Sequence, residues 1–429
     1  MNKYKNIVKK ILKNTPLFGV ARGAYRLVKN TLARETDTGF PTMPYRFTHE
    51  DALRVYEIVL SGRLQHGVGK EVFALEKEFA EYHNVKYALA TNAGTSALEL
   101  AVKAIGIRPG DEVIVPAYTF VATAQAVIRH GGIPVFADID DTYTLSPKSF
   151  EAKITKRTKA VIPVHIFGNA ADMDSIMRIA RKHNLLVIED ACQGLGATYK
   201  GKKVGSIGDI GCFSFNEMKS IYTGQGGMLI TNKKKYWDVS SMTRNTGQIK
   251  EDLGSDIVTT GNTFALTEMQ ASLARSILPQ LDSLIAMRKK NYELFVDMID
   301  GRLKHVRWYR ILPDATPSYC RLIFMIDFEA IGVSRQSFIK AAHSMGIPMK
   351  EIYPKPLYTY SLFQKRRDIM TGSTYPFDQN THVRYTGLKL PFAELFSKQQ
   401  VGIEFSPYIT TEHIQNLCTV LQTLTLKRL

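Results

Sequence analysis

Between Tyr87 and Glu189 short β-rich runs alternate with helical patterns, and few folds accept that alternation. The runs Tyr87–Asn92, Glu112–Val115, Pro134–Ala137, Ala160–Val164 and Leu185–Glu189 are separated by helix-spaced apolar residues beginning at Gly94, Ala122, Pro147 and Met173. Strands joined through helices run parallel, and the crossovers lay those helices on the faces of the sheet. The sequence therefore predicts an α/β fold with a mostly parallel sheet and helices on both faces. A long helical pattern from Leu266 through Leu284 into Tyr292 leads to a second, smaller α/β unit, in which Arg321–Asp327 reads as a strand and a terminal helix starts at Glu412. The chain divides accordingly into an arm and linker at 1–45, a large domain at 46–294 and a small C-terminal domain at 295–429.

Composition excludes several classes. Hydrophobic content of 45% and charged content of 22% over 429 residues suit a soluble globular protein. No uninterrupted apolar run approaches the ~18 residues of a membrane span, and Leu17–Ala21 is cut off by Arg22 too early for a signal peptide, so a cytoplasmic protein is expected. The cysteines Cys192, Cys212, Cys320 and Cys418 show neither pairing nor metal spacing, which fits a reducing compartment and no metal site. Residues 1–34 carry nine of the Lys and Arg residues and no acid, so a net charge of +16 leaves +7 for the remainder. A basic body favours an anionic small molecule. No zinc spacing, helix-turn-helix pattern or aromatic-basic ribbon supports nucleic acid.

Candidate chemistry lies at the ends of the runs. Gly211-Cys-Phe-Ser214 reads as a strand that delivers a hydroxyl, and Lys219 follows on a loop that Thr223-Gly-Gln-Gly-Gly227 keeps open. An amine on a flexible stem, near a hydroxyl that can hold a phosphate, suits pyridoxal phosphate, which bonds through its aldehyde and anchors through its phosphate. Taken alone, the segment also fits a solvated loop lysine. The run ending at Glu189 and Asp190 places a carboxylate where open α/β sheets bind ligands; it could keep a pyridine nitrogen protonated, with Gln193 near the ring's phenolic oxygen, or it could simply cap a helix. Gly94, Thr95 and Ser96 open a helix after a strand, where backbone N–H groups and the helix dipole can receive a phosphate. Gly194-Leu-Gly196 is no dinucleotide fingerprint, because Tyr199 stands where the third glycine belongs.

These segments, with Pro116-Ala-Tyr-Thr-Phe120, Val164-His-Ile-Phe-Gly-Asn-Ala-Ala-Asp172, Glu189-Asp-Ala-Cys-Gln193, Gly208-Asp-Ile-Gly-Cys-Phe-Ser-Phe215 and Gly226-Gly-Met-Leu-Ile-Thr-Asn232, occur in one order. In that order the chain, over roughly residues 50–415, resembles the pyridoxal-phosphate-dependent sugar aminotransferases of the DegT/DnrJ/StrS group. The resemblance implies an aspartate-aminotransferase-like fold of type I with a seven-stranded sheet. It also implies Lys219 as the covalent lysine and proton carrier, Asp190 at the pyridine nitrogen, Gln193 at the ring oxygen, Phe120 against the ring face, and Gly94, Thr95, Ser96 and Ser214 at the phosphate. The implied reaction takes an amino group from an amino acid, L-glutamate by resemblance, to a keto sugar on a nucleoside diphosphate, for amino-sugar and surface-polysaccharide synthesis.

Two departures bear on that reading. The family usually has Gly-x-Asn-x-Arg where this chain reads Gly261-Asn-Thr263-Phe-Ala265. In the family the Asn reaches the partner subunit's cofactor phosphate and the Arg adds positive charge to the same cleft, which implies a homodimer. Thr263 offers a hydroxyl for the first contact, or neighbouring Asn262 could slip into register instead; Ala265 cannot make the second, a charge-assisted contact worth about 1.5–3 kcal/mol. Tyr358 stands where the family commonly shows His. The rival readings are a sugar dehydratase, which would need a histidine in place of Lys219, and a non-catalytic regulatory relative. The basic arm at 1–34, with Ile7, Ile11, Val20 and Leu27 on apolar faces, could lie on an anionic membrane or pack against the protein itself.

Overall fold

The computed structural model of the protein describes residues 39–248, 256–299 and 303–426. The arm expected at 1–34 lies outside them. The strands are β1 Tyr87–Thr91, β2 Glu112–Pro116, β3 Ile133–Ala137, β4 Thr158–Val161, β5 Leu186–Asp190, β6 Thr198–Tyr199, β7 Lys202–Lys203, β8 Ile210–Ser214, β9 Gly227–Thr231, β10 Val306–Trp308, β11 Ala315–Thr316, β12 Arg321–Ile326 and β13 Gln400–Glu404. A seven-stranded sheet has the order β1-β9-β8-β5-β4-β2-β3. From β8 to β3 every neighbour is parallel, and β9 alone runs antiparallel to both of its neighbours. The predicted α/β sheet with helices on both faces is what forms. Phe79, Ile176 and Ile277 belong to the core that covers one face, and Leu98 and Val127 to the core on the other.

Register brings the chemistry to one rim. Thr91 and Ser214, the last residues of β1 and β8, both pair with Gly227, and Asp190 at the end of β5 pairs with Cys212. The turn after β1 sits directly on Gly227: a Cβ there would come within 2.7 Å of the Gly94 nitrogen, so only glycine permits the approach.

The helical pattern expected to run unbroken from Leu266 into Tyr292 is interrupted. Helix Glu268–Ile277 ends in a 3₁₀ turn at Leu278–Gln280 before helix Leu281–Ile299 begins. Pro279 is the cause, having no N–H to continue the ladder while its ring crowds the preceding turn. The following helix runs through residues 294 and 295. Beyond it β10, β12 and β13 form a second, antiparallel sheet with β12 in the centre. Segments after 295 also return to the large sheet. The Leu357 amide donates to the Ala117 carbonyl at 2.7 Å, the Tyr385 hydroxyl to the Pro134 carbonyl at 2.8 Å, and Phe363 meets Phe136 edge-on at 5.0 Å.

The first described residues are fastened as well. Phe40 is buried with its ring edge-on to His413, and the wholly buried Arg288 donates to the carbonyls of Phe405 at 3.0 Å and Pro44 at 3.4 Å. Thr42 and Pro44 share a small cleft with Met218 and Lys219. Among the described residues no helix is long and apolar enough to cross a membrane.

Candidate active site

A cavity of about 530 Å³ opens at the rim where β1, β5 and β8 end. Its floor is largely backbone. Helix Gly94–Ala104 starts after Ala93, which supplies no side-chain cap, so the N–H groups of its first turn lack intrahelical partners where Ala93, Gly94 and Thr95 line the cavity. A Cβ on Gly94 would lie 2.7 Å from the Ser214 Cβ and 2.9 Å from the Cys192 sulfur, so this turn is pressed against the ends of its neighbours. Ser214 is nearly buried, and its Oγ accepts from the Asn216 amide at 3.3 Å.

Asp190 is held from two sides. Thr123 Oγ1 donates to its Oδ2 at 2.7 Å and the Cys192 amide to its Oδ1 at 3.1 Å. Its neighbour Glu189 points into the opposite core, where Oε2 accepts from His165 Nε2 at 2.9 Å and the Gly205 amide at 2.7 Å, and Oε1 from the Ile207 amide at 2.7 Å and the Gly208 amide at 2.5 Å. The Ala171 amide donates to His165 Nδ1 at 3.1 Å, which leaves Nε2 as the ring's donor. The backbones of His165 and Asp190 also bond at 3.0 Å, so this buried knot fixes the strand end that carries Asp190.

Lys219 lies on the loop after β8, closed at its base by hydrogen bonds from the Phe215 amide to the Gly226 carbonyl at 2.8 Å and from the Thr223 amide to the Phe215 carbonyl at 2.9 Å. Gly224 and Gly226 take φ of +81° and +152°, which side chains disfavour. The lysine is half-buried rather than solvated. Burial first, and then the Arg321 charge, lower its affinity for a proton below that of an ordinary lysine, against the opposing pull of Cys192, Cys320 and Asp190. Gln193 accepts from the Phe167 amide through Oε1 at 3.2 Å and donates through Nε2 to the Tyr353 hydroxyl at 3.4 Å. Phe120 leaves half its surface open over the cavity, 6.3 Å from the Tyr353 ring.

The opposite wall comes from the C-terminal third. Arg321, the first residue of β12, donates through Nε to both oxygens of Glu404 at 3.0 Å, and its Nη2 lies 3.0 Å from Glu404 Oε1. Lys350 reaches the same oxygen at 2.8 Å. Burial tends to protonate Glu404, yet the two cations hold it below the usual carboxylate range. Tyr353 is fixed by its backbone, which exchanges hydrogen bonds with the Tyr118 hydroxyl and accepts from Gln400, and burial raises its phenol above the ordinary range.

Of the residues expected from the sequence, Lys219, Gly94, Thr95, Phe120, Asp190, Gln193 and Ser214 line this one cavity. Ser96 sits one position beyond, its hydroxyl donating to Asn92 Oδ1 at 2.7 Å. Thr263 is exposed and outside the lining; its carbonyl accepts from Asn92 Nδ2 at 3.4 Å, which places the loop beside the Gly94 turn. Tyr358 is buried away from the cavity and donates to Glu394 at 2.5 Å. Sequence reasoning missed Arg321, Lys350 and Tyr353. The segment Tyr353-Pro-Lys-Pro-Leu-Tyr358 was a signal, although its first tyrosine rather than its last faces the cavity.

The donor set fits pyridoxal phosphate: an amine whose hold on its proton is weakened by burial, a carboxylate fixed at a strand end, a hydroxyl and an uncapped helix start share one enclosure of suitable size. Three comparisons agree. A GDP-perosamine synthase of Caulobacter vibrioides is 39% identical over 292 residues, 65% of this chain and 78% of that protein. A UDP-N-acetyl-3-dehydro-alpha-D-glucosamine 3-aminotransferase of Acidithiobacillus ferrooxidans is 35% identical over 367 residues, 83% and 89% of the two chains. The X-ray structure of an aminotransferase from Psychrobacter cryohalolentis superposes with a TM-score of 0.80 at 31% identity, covering 90% of this chain and 98% of that one. The model of the DegT/DnrJ/EryC1/StrS aminotransferase family matches residues 46–422, and this chain, a pyridoxal-phosphate-dependent enzyme, belongs to that family.

Proposed function

We propose that this aminotransferase moves an amino group from an amino acid, L-glutamate, to a keto sugar carried on a nucleoside diphosphate, in amino-sugar synthesis for surface polysaccharide. The carrying observation is Lys219, half-buried with a weakened hold on its proton, in one cavity with Asp190. Sugar-nucleotide names among the relatives at 39% and 35% identity support the acceptor class. Bound pyridoxal phosphate supplies an electron sink for the bond broken at the substrate carbon. Asp190 would keep the ring nitrogen protonated, Gln193 would hold the ring oxygen, and Phe120 would cover one ring face. Gly94, Thr95, Ser96 and Ser214 would receive the phosphate. Once its amine is free, Lys219 carries the proton to and from the substrate carbon. A dehydratase of this family would need histidine where Lys219 stands.

A homodimer in the cytoplasm completes the proposal, with Thr263 reaching the partner's phosphate. Helix His49–Ser61 supports it by leaving Leu53, Tyr56, Val59 and Leu60 between 45% and 69% exposed, with Val68 and Phe73 close behind in sequence. The test is single-turnover spectroscopy of the purified holoenzyme. L-glutamate should bleach the cofactor's visible band, and a keto sugar nucleotide should restore it. A band that glutamate leaves unchanged refutes the donor, and sedimentation as a fully active monomer refutes the dimer.

A further inference from the structure

The charged wall holds more positive charge than its own acids neutralise. Arg321 and Lys350 share the single carboxylate of Glu404, and the nearby Glu351 is already bonded to Arg335. One cationic charge is therefore left over at a wall whose arginine side chain is only 11% exposed. Glu404 takes the Nε and Nη2 edge of the guanidinium, and the Tyr353 side chain, which in turn meets Gln193, bonds to the arginine as well. A guanidinium that lines the cavity with a surplus charge beside it, in an enclosure that also holds an amine nucleophile, matches a small carboxylate. A diphosphate fits less well, since its bulk and charge call for several exposed cations.

We propose that Arg321, with Lys350 beside it on Glu404, is the carboxylate receptor of the cavity and takes the α-carboxylate of the amino-acid donor. The inference rests on the proposed amino-acid donor. Glu404 then acts as a positioning residue, orienting the guanidinium. Lys350 keeps the pair from being neutral.

Calorimetry on the holoenzyme tests this with maleate, a dicarboxylate that carries no amine and cannot react, and with UDP and GDP as diphosphate probes. Arg321→Gln is expected to weaken maleate binding at least tenfold and to raise the glutamate concentration needed for half-maximal bleaching by a similar factor. Arg321→Lys recovers part of both, and Lys350→Gln weakens maleate severalfold. Diphosphate affinity stays within twofold throughout. Because Arg321→Gln leaves the buried Glu404 carboxylate with Lys350 alone, the pair Arg321→Gln with Glu404→Gln is measured as well; it restores the original net charge of the wall and still loses maleate. Unchanged maleate affinity in that pair, or loss of diphosphate binding in its place, overturns the inference. Maleate bound through Arg321 in an enzyme that glutamate cannot bleach would uphold the receptor and refute the donor assignment. Normal bleaching with unchanged maleate affinity in the variants would do the reverse.

Discussion

The two walls of the cavity are built from different materials. On the sheet side the groups are main-chain amides, a hydroxyl and one carboxylate, each fixed at the end of a strand or the start of a helix. On the C-terminal side they are long charged side chains, Arg321, Lys350 and Glu404, held mainly by one another. The first wall is rigid because the sheet is rigid. The second depends on electrostatics, which a single substitution can unbalance.

Substitutions on the sheet side should therefore have the larger effects. Lys219→Ala is expected to leave a folded protein whose turnover falls by at least about 10⁴-fold, with no pyridoxyl adduct after borohydride reduction and mass spectrometry. An adduct on another lysine would contradict the assignment. Glu189→Ala, which removes the shared acceptor of His165 and the Gly205, Ile207 and Gly208 amides, should cost about 3–5 kcal/mol in urea unfolding. A loss below about 1 kcal/mol would mean that the knot does not hold the strand end. Asp190→Asn should retain bound cofactor and lose on the order of 10²-fold in rate, because an amide cannot keep the ring nitrogen protonated. Near-normal turnover would reduce Asp190 to a cap for Thr123 and Cys192. Gly94→Ala forces a methyl group to 2.7 Å from the Ser214 Cβ and should destabilise by about 1–3 kcal/mol, visible as a lowered Tm.

The smallest effect crosses from one wall to the other. Under the assignment proposed for Lys219, covalent capture of the cofactor by cofactor-free protein would require its unprotonated amine, whose proton affinity is lowered by burial and by Arg321. Capture should therefore reach its plateau at a lower pH than an ordinary lysine allows. Arg321→Gln removes a positive charge, makes the protonated amine easier to keep, and should move that plateau to higher pH. A midpoint that stays in place would show that the two walls are electrostatically independent.

The same contrast explains what could be read from the sequence. Asp190, Ser214 and the Gly94 turn are legible because a strand end or an opening helix identifies itself within a few residues. Arg321 only opens a strand of the second sheet, and Lys350 is tied to that sheet by a bridge to Gly402; both meet the cavity through long-range docking, which has no local signature. Tyr358 drew attention by its difference from the family, yet the docking turns it into the core and turns Tyr353 toward the site. The break at Pro279 was hidden because apolar spacing continues on both sides of it.

The fastening at Pro44 gives the N-terminal end a mechanical role. Arg288 holds the Pro44 carbonyl, and Thr42 and Pro44 form part of the cleft behind Met218 and Lys219. A chain cut before Gly39 keeps that backing, whereas one cut after Pro44 removes it and leaves the lysine loop open to water from behind. Any pull transmitted along the N-terminal segment would be borne at this anchor, one layer from the Lys219 amine.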